Sequence, residues 1–152
     1  MKELLFVKLL NKAAAYCTSA ERCRSEVAEK LRQWGMSGEE SEAVIEKLER
    51  ERFIDERRYA KAYVHDKFNY NKWGRRKISL MLFAKGIADD IVEEALQTID
   101  DEAYEETLYR LLEAKLGTMK WSDTRERNAK LMRYAAGRGF ESGLIYEVLK
   151  RF

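Results

Sequence analysis

Three stretches of this 152-residue chain carry one pattern, and a glycine closes each of them. Gly35, Gly86 and Gly139 stand 51 and 53 residues apart. Eight positions before each glycine comes Val27, Ile78 or Leu131; four before comes Leu31, Leu82 or Ala135; one after comes Met36, Ile87 or Phe140. Apolar residues at that spacing lie on one face of an α-helix. An apolar residue just past a glycine marks a left-handed helix end with its hydrophobic contact. Five and six positions beyond the second and third glycines stand Ile91-Val92 and Leu144-Ile145. The first stretch reaches Val44-Ile45 only after four extra residues, so its turn is longer. A repeat of this period belongs to an array of helical units that complete one another's cores.

The rest of the chain reads as helix too. A first helix is expected over Lys2–Thr18, with Leu5, Leu9 and Tyr16 along one stripe, followed by helices over Arg24–Trp34 and Glu40–Arg52. Phe53-Ile54-Asp55 then sets an apolar residue before a capping aspartate, an entry to a fourth helix with Tyr59, Tyr63 and Val64. A fifth holds Ile78, Leu82 and Phe83, a sixth starts at Asp89, and a seventh at Asp100 aligns Tyr104, Leu108, Leu111 and Leu112. An eighth starts near Asp123, and a ninth carries Leu144, Ile145, Val148 and Leu149. The expected fold is all-α: an elongated, curved array of three tandem three-helix repeats over residues 1–54, 55–99 and 100–152. The chain has no proline and only eight glycines, which argues against the many tight turns of a sandwich or barrel.

Several functions lose their footing on counts alone. No charge-free stretch approaches the roughly 20 apolar residues that span a bilayer. The opening Met1-Lys2-Glu3-Leu4-Leu5 lacks the clean apolar run of an export signal. Cys17 and Cys23 are therefore expected as reduced thiols in a cytoplasmic protein, and no metal site is expected. His65 is the single histidine, mid-helix, with no nucleophile near it in sequence, and it reads as a surface or boundary residue. No phosphate-binding glycine motif occurs, and Gly137-Arg138-Gly139 reads as a turn. The carboxylates fall at helix starts and on polar faces. Nothing points to an enzyme, a catalytic residue or a cofactor.

Charge is where the chain is uneven. The formal net charge is +2, yet residues 1–54 carry ten basic and ten acidic groups, and residues 100–152 carry ten and ten again. Arg57–Lys85 holds nine basic residues against Asp66 alone, with Tyr59, Tyr63, Phe68, Tyr70, Trp73 and Phe83 interleaved. Such a segment suits a polyanion or a strongly acidic protein face. Lys72-Trp73-Gly74-Arg75-Arg76-Lys77 is its sharpest part, at a helix start where unpaired backbone N–H groups would add to anion binding. The candidate contact residues are Arg57, Arg58, Lys72, Trp73, Arg75, Arg76, Lys77 and Lys85. Set against them is the plainer reading of a solvated basic face with the aromatics in the core.

These residues also carry a family resemblance. Phe53-Ile54-Asp55-Glu56-Arg57-Arg58-Tyr59-Ala60, then Gly74-Arg75-Arg76-Lys77-Ile78 and Leu82-Phe83-Ala84-Lys85-Gly86-Ile87, resembles the central signature of the RecX family of recombinase regulators. Ser25-Glu26-Val27 through Leu31 to Gly35, and Lys130-Leu131-Met132-Arg133-Tyr134 to Gly139-Phe140, are similar to its flanking motifs. Arg75 departs from the family's usual proline after the glycine, Trp34 from a common basic residue, and the first turn is longer. The resemblance implies tandem three-helix repeats without catalytic residues. It further implies binding in the groove of the RecA filament, contact with DNA, and modulation of the recombinase, mostly inhibition. On that reading the protein is expected as a monomer with the RecA filament as partner and no membrane. The rival expectation is a freestanding single-stranded nucleic-acid-binding protein that acts by competing for DNA.

Overall fold

The computed structural model describes residues 2–152, and among them the secondary structure is nine helices with no strand. They are α1 (Lys2–Ser19), α2 (Arg24–Gln33), α3 (Gly38–Arg50), α4 (Glu56–Asn69), α5 (Arg75–Ala84), α6 (Asp89–Leu96), α7 (Asp101–Leu116), α8 (Thr124–Gly137) and α9 (Ser142–Leu149). The all-helical reading and the three tandem trios stand. Among the described residues no helix is long and apolar enough to cross a membrane.

The repeated glycine does the same work each time. Gly35, Gly86 and Gly139 have φ of +92°, +80° and +97°, the left-handed region where a side chain is strained. Two residues of reversal let the next N–H return to the helix: Met36 to Leu31 O at 2.9 Å, Ile87 to Leu82 O at 3.2 Å, Phe140 to Ala135 O at 3.2 Å. Met36, Ile87 and Phe140 are buried behind these bonds. This is the Schellman closure, with its hydrophobic contact. Asp55 caps α4 as its sequence suggests, accepting the Arg58 N–H at 3.1 Å.

The helices gather into two compact units, one of Met1–Ala62 and Leu82–Val92, the other of Tyr63–Met81 and Glu93–Phe152. Each helix of the middle trio is divided between them. The first unit has a core of Leu9, Ala13, Cys17, Val27, Leu31, Val44, Ile45, Leu48 and Ile54. In the second, Tyr104 lies between two other rings, 5.7 Å from Phe68 and 5.0 Å from Phe140, amid buried Leu108, Leu112, Leu131, Ile145 and Val148.

Two expected core positions are corrected. Leu5 is 49% exposed; the buried row of α1 ends at Leu9, and Phe6 is the residue of its first turns that packs against the core. Phe83 is 45% exposed, because Ile78 and Leu82 define the buried row of α5 and Phe83 sits about 100° around the helix from Leu82.

Candidate functional site

The eight basic-segment candidates separate according to what holds them. In the first unit, Arg57 meets Asp90 at 3.3 Å, and Arg58 donates to Glu21 at 2.5 Å and to the Arg52 carbonyl at 3.1 Å. Lys85 donates to Glu26 at 3.2 Å. Glu26 also accepts the Cys23 N–H, and these bonds, working against burial, hold its carboxyl below the ordinary range. The Ser25 hydroxyl donates to the Lys85 carbonyl at 2.7 Å, so the start of α2 is fastened to the turn that ends α5.

The second unit contains the sharper part of the segment, and its geometry centres on the start of α5. Here the expectation of unpaired N–H groups is corrected. The Gly74 N–H donates to Arg138 O at 2.8 Å, the Arg76 N–H to Gly139 O at 2.9 Å, and the Arg75 N–H to the Tyr104 hydroxyl at 2.9 Å. The turn after α8 and the Tyr104 side chain therefore take the donors that an anion would need. The approach is close: a Cβ on Gly74 would fall on the backbone of Gly139, and one on Gly139 would fall on Lys77. Glycine at both places is a steric requirement. Arg138 completes the fastening by donating to the carbonyls of Asn71 and, at 3.3 Å, Lys72. Lys72 itself has φ of +56°, a left-handed conformation costing about 1–3 kcal/mol in a residue other than glycine, which those bonds help to hold.

Arg75 is the most engaged of the candidates. Its guanidinium pairs with Asp101 at 2.7 Å and Glu141 at 3.1 Å and lies 3.8 Å over the Tyr104 ring. The Tyr104 hydroxyl donates to the other oxygen of Glu141, and burial followed by that bond pushes the phenol far above its ordinary range. A proline at position 75 would lack the N–H that reaches Tyr104. The arginine found here thus fits this network, and its side chain is only 26% exposed.

What remains outward is a smaller set. Arg76 is exposed, and among the described residues its guanidinium has no ion-pair partner. Lys72 is exposed and donates to the Asn69 carbonyl at 2.6 Å. The ammonium groups of Lys77 and Lys67 lie 4.4 Å and 4.9 Å from the centre of the half-buried Trp73 ring. Those cations already lie against the Trp73 ring, within the range of a cation–π contact. Sequence reasoning missed Leu80 and Met81 on the same stretch of α5, which are 67% and 38% exposed. The signal was available: neither lies on the row of Ile78 and Leu82.

Cys17 and Cys23 are free and buried, and burial lifts the Cys17 thiol to about 11. His65 is exposed beside Asp66.

The chain is similar to known proteins along most of its length. Three family models match in order: the first three-helix domain of RecX over residues 10–48, the second over 55–96 and the third over 102–149. A "Regulatory protein RecX" of Prosthecochloris aestuarii is 33% identical over 144 residues, covering 93% of this chain and 91% of that one. A "Regulatory protein RecX" of Clostridium perfringens is 28% identical over 153 residues, covering 99% and 71%. The crystal structure of RecX from Lactobacillus salivarius superposes with a TM-score of 0.86 at 28% identity, covering 96% and 95%. A second crystal structure, of a regulatory protein RecX, superposes with a TM-score of 0.88 at 25% identity, covering 97% and 73%.

Proposed function

The chain belongs to the RecX family of regulatory proteins, and on that premise we propose that it binds the RecA–single-stranded-DNA filament in its groove and restrains it. Occupying the groove hinders filament extension and the conformational cycle of the recombinase, and so lowers its ATPase, strand-exchange and co-protease activities. The protein acts by contact alone, as a cytoplasmic monomer, with no cofactor and no chemistry of its own. Its building blocks are the trios of residues 1–54, 55–99 and 100–152.

The observation that carries this reading is the match of all three trios to a regulatory family, in order and along most of the chain. The exposed cations Lys72 and Arg76, with the half-buried Lys77 beside them, supply the electrostatic half of the contact. Arg57, Arg58, Arg75 and Lys85 are already paired with carboxylates, each within its own unit.

The test is co-sedimentation with preformed RecA–DNA–nucleotide filaments, with naked single strands at equal nucleotide concentration as control and RecA ATPase followed in parallel. Strong recruitment to filaments with a falling ATPase rate is expected. Equal binding to naked strands would replace this reading with competition for DNA, and binding to neither would remove the partner altogether.

A further inference from the structure

The three repeats provide an internal control on α5. Counting back from the repeated glycine, Leu80 corresponds to Glu29 in α2 and Arg133 in α8, and both of those are exposed. The fold therefore accepts a charged residue of either sign at this place. In α5 the position carries a leucine that is 67% exposed, followed by Met81 at 38%. Neither side chain is required by the core that Ile78 and Leu82 fill.

Cations border this apolar pair. Arg76 and Leu80 are four residues apart, as are Lys77 and Met81, so the four share one face of the helix. In α2 the counterpart of Lys77 is Glu26, so the positive sign is not imposed by the repeat either. Arg76 is exposed with no carboxylate partner among the described residues.

A phosphate backbone would satisfy Arg76 and Lys77 but would leave Leu80 and Met81 facing charge and sugar. An acidic protein segment with an apolar residue at its centre satisfies all four at once, by ion pairing at the border and removal of apolar surface from water in the middle. We propose that this outer face of α5, made of Arg76, Lys77, Leu80 and Met81, docks an acidic, apolar-anchored segment of the recombinase filament's protein surface. The inference rests on the regulatory reading above and makes protein, not DNA, the counterpart of the face.

The decisive variant is Leu80→Ser, with Leu80→Glu beside it because Glu29 shows that the fold takes glutamate at the equivalent place. Circular dichroism of both should match the parent. Recruitment to RecA–DNA filaments is expected to weaken about tenfold, the effect of leaving one anchor side chain unburied. Binding to naked single strands should not change for Leu80→Ser. Arg76→Ala with Lys77→Ala should weaken both. Recruitment of Leu80→Ser at the parent level would overturn the docking face while leaving the filament reading intact. Equal weakening of Leu80→Ser on filaments and naked strands would overturn the protein assignment in favour of nucleic acid. Failure of the parent chain itself to be recruited would overturn both readings.

Discussion

Tyr104 brings a hydroxyl into an apolar core, and its surroundings provide for it. The Arg75 N–H donates to that oxygen, the oxygen donates to Glu141, and the Arg75 guanidinium closes over the ring while pairing with the same carboxylate. Removing the hydroxyl leaves a backbone donor and part of a carboxylate without partners in a half-buried setting. Tyr104→Phe is expected to cost about 1–3 kcal/mol in urea unfolding, the penalty of leaving those partners unsatisfied. The sequence marked Tyr104 as core because it lies in register with Leu108, Leu111 and Leu112. It gave no sign of the polar partners, since Arg75 and Glu141 lie far from it along the chain. Arg75 itself looked like a contact for a partner, and only the folded chain shows that Asp101 and Glu141 neutralise it.

At the scale of the element, α8 departs from its counterparts by starting one turn earlier relative to the repeated glycine. Asp123 caps it, accepting the Glu126 N–H at 2.8 Å. Glu126 reaches back to accept both the Ser122 N–H, at 2.9 Å, and the Ser122 hydroxyl, and forward to Lys130 at 3.1 Å. The Ser122 bonds come first and Lys130 after them in holding this carboxyl at about 2, against 4.5 for an ordinary glutamate. A folded value below the unfolded one means stabilisation that is present above pH 4.5 and is lost as the pH falls towards 2. In chemical denaturation across that window, the parent chain is expected to lose stability faster than Glu126→Gln. Parallel curves would remove Glu126 from the acid response. The start of α8 near Asp123 and the cap at Asp55 were legible because aspartate before an apolar-periodic run is a local signal. The turn glycines were legible for the same reason, since a left-handed helix end depends on a few neighbouring residues.

Across the whole molecule, the formal charge of +2 says little, because Arg24, Arg57, Arg58, Arg75 and Lys85 answer to carboxylates within their own unit. In the basic segment, Lys67, Lys72, Arg76 and Lys77 are the named cations for which no carboxylate partner is seen among the described residues. Four such groups on a single strand give a log–log salt slope of about −3, whereas all nine basic residues of Arg57–Lys85 would give about −6. Fluorescence anisotropy of labelled single strands over a series of salt concentrations measures this slope directly. A value near the steeper limit would mean that the ion pairs open on binding. The shallow value is expected.

Periodicity by itself determined the nine helices, the glycine turns and most of the core, including Val27, Ile78 and Leu131 at matching positions. Those features arise from backbone geometry and from which face of a helix is apolar, and both are written over short windows of sequence. Leu5 and Phe83 escaped it because an apolar residue at the edge of a stripe is buried only where another element reaches it. Tertiary structure alone decided that the α5 N–H groups are taken by the Arg138–Gly139 turn and Tyr104, that Arg75 and Lys85 are paired, and that Leu80 stands in water among cations. Pairing and exposure depend on residues brought together from distant parts of the chain, and one chain's local pattern does not encode which carboxylate will meet which cation.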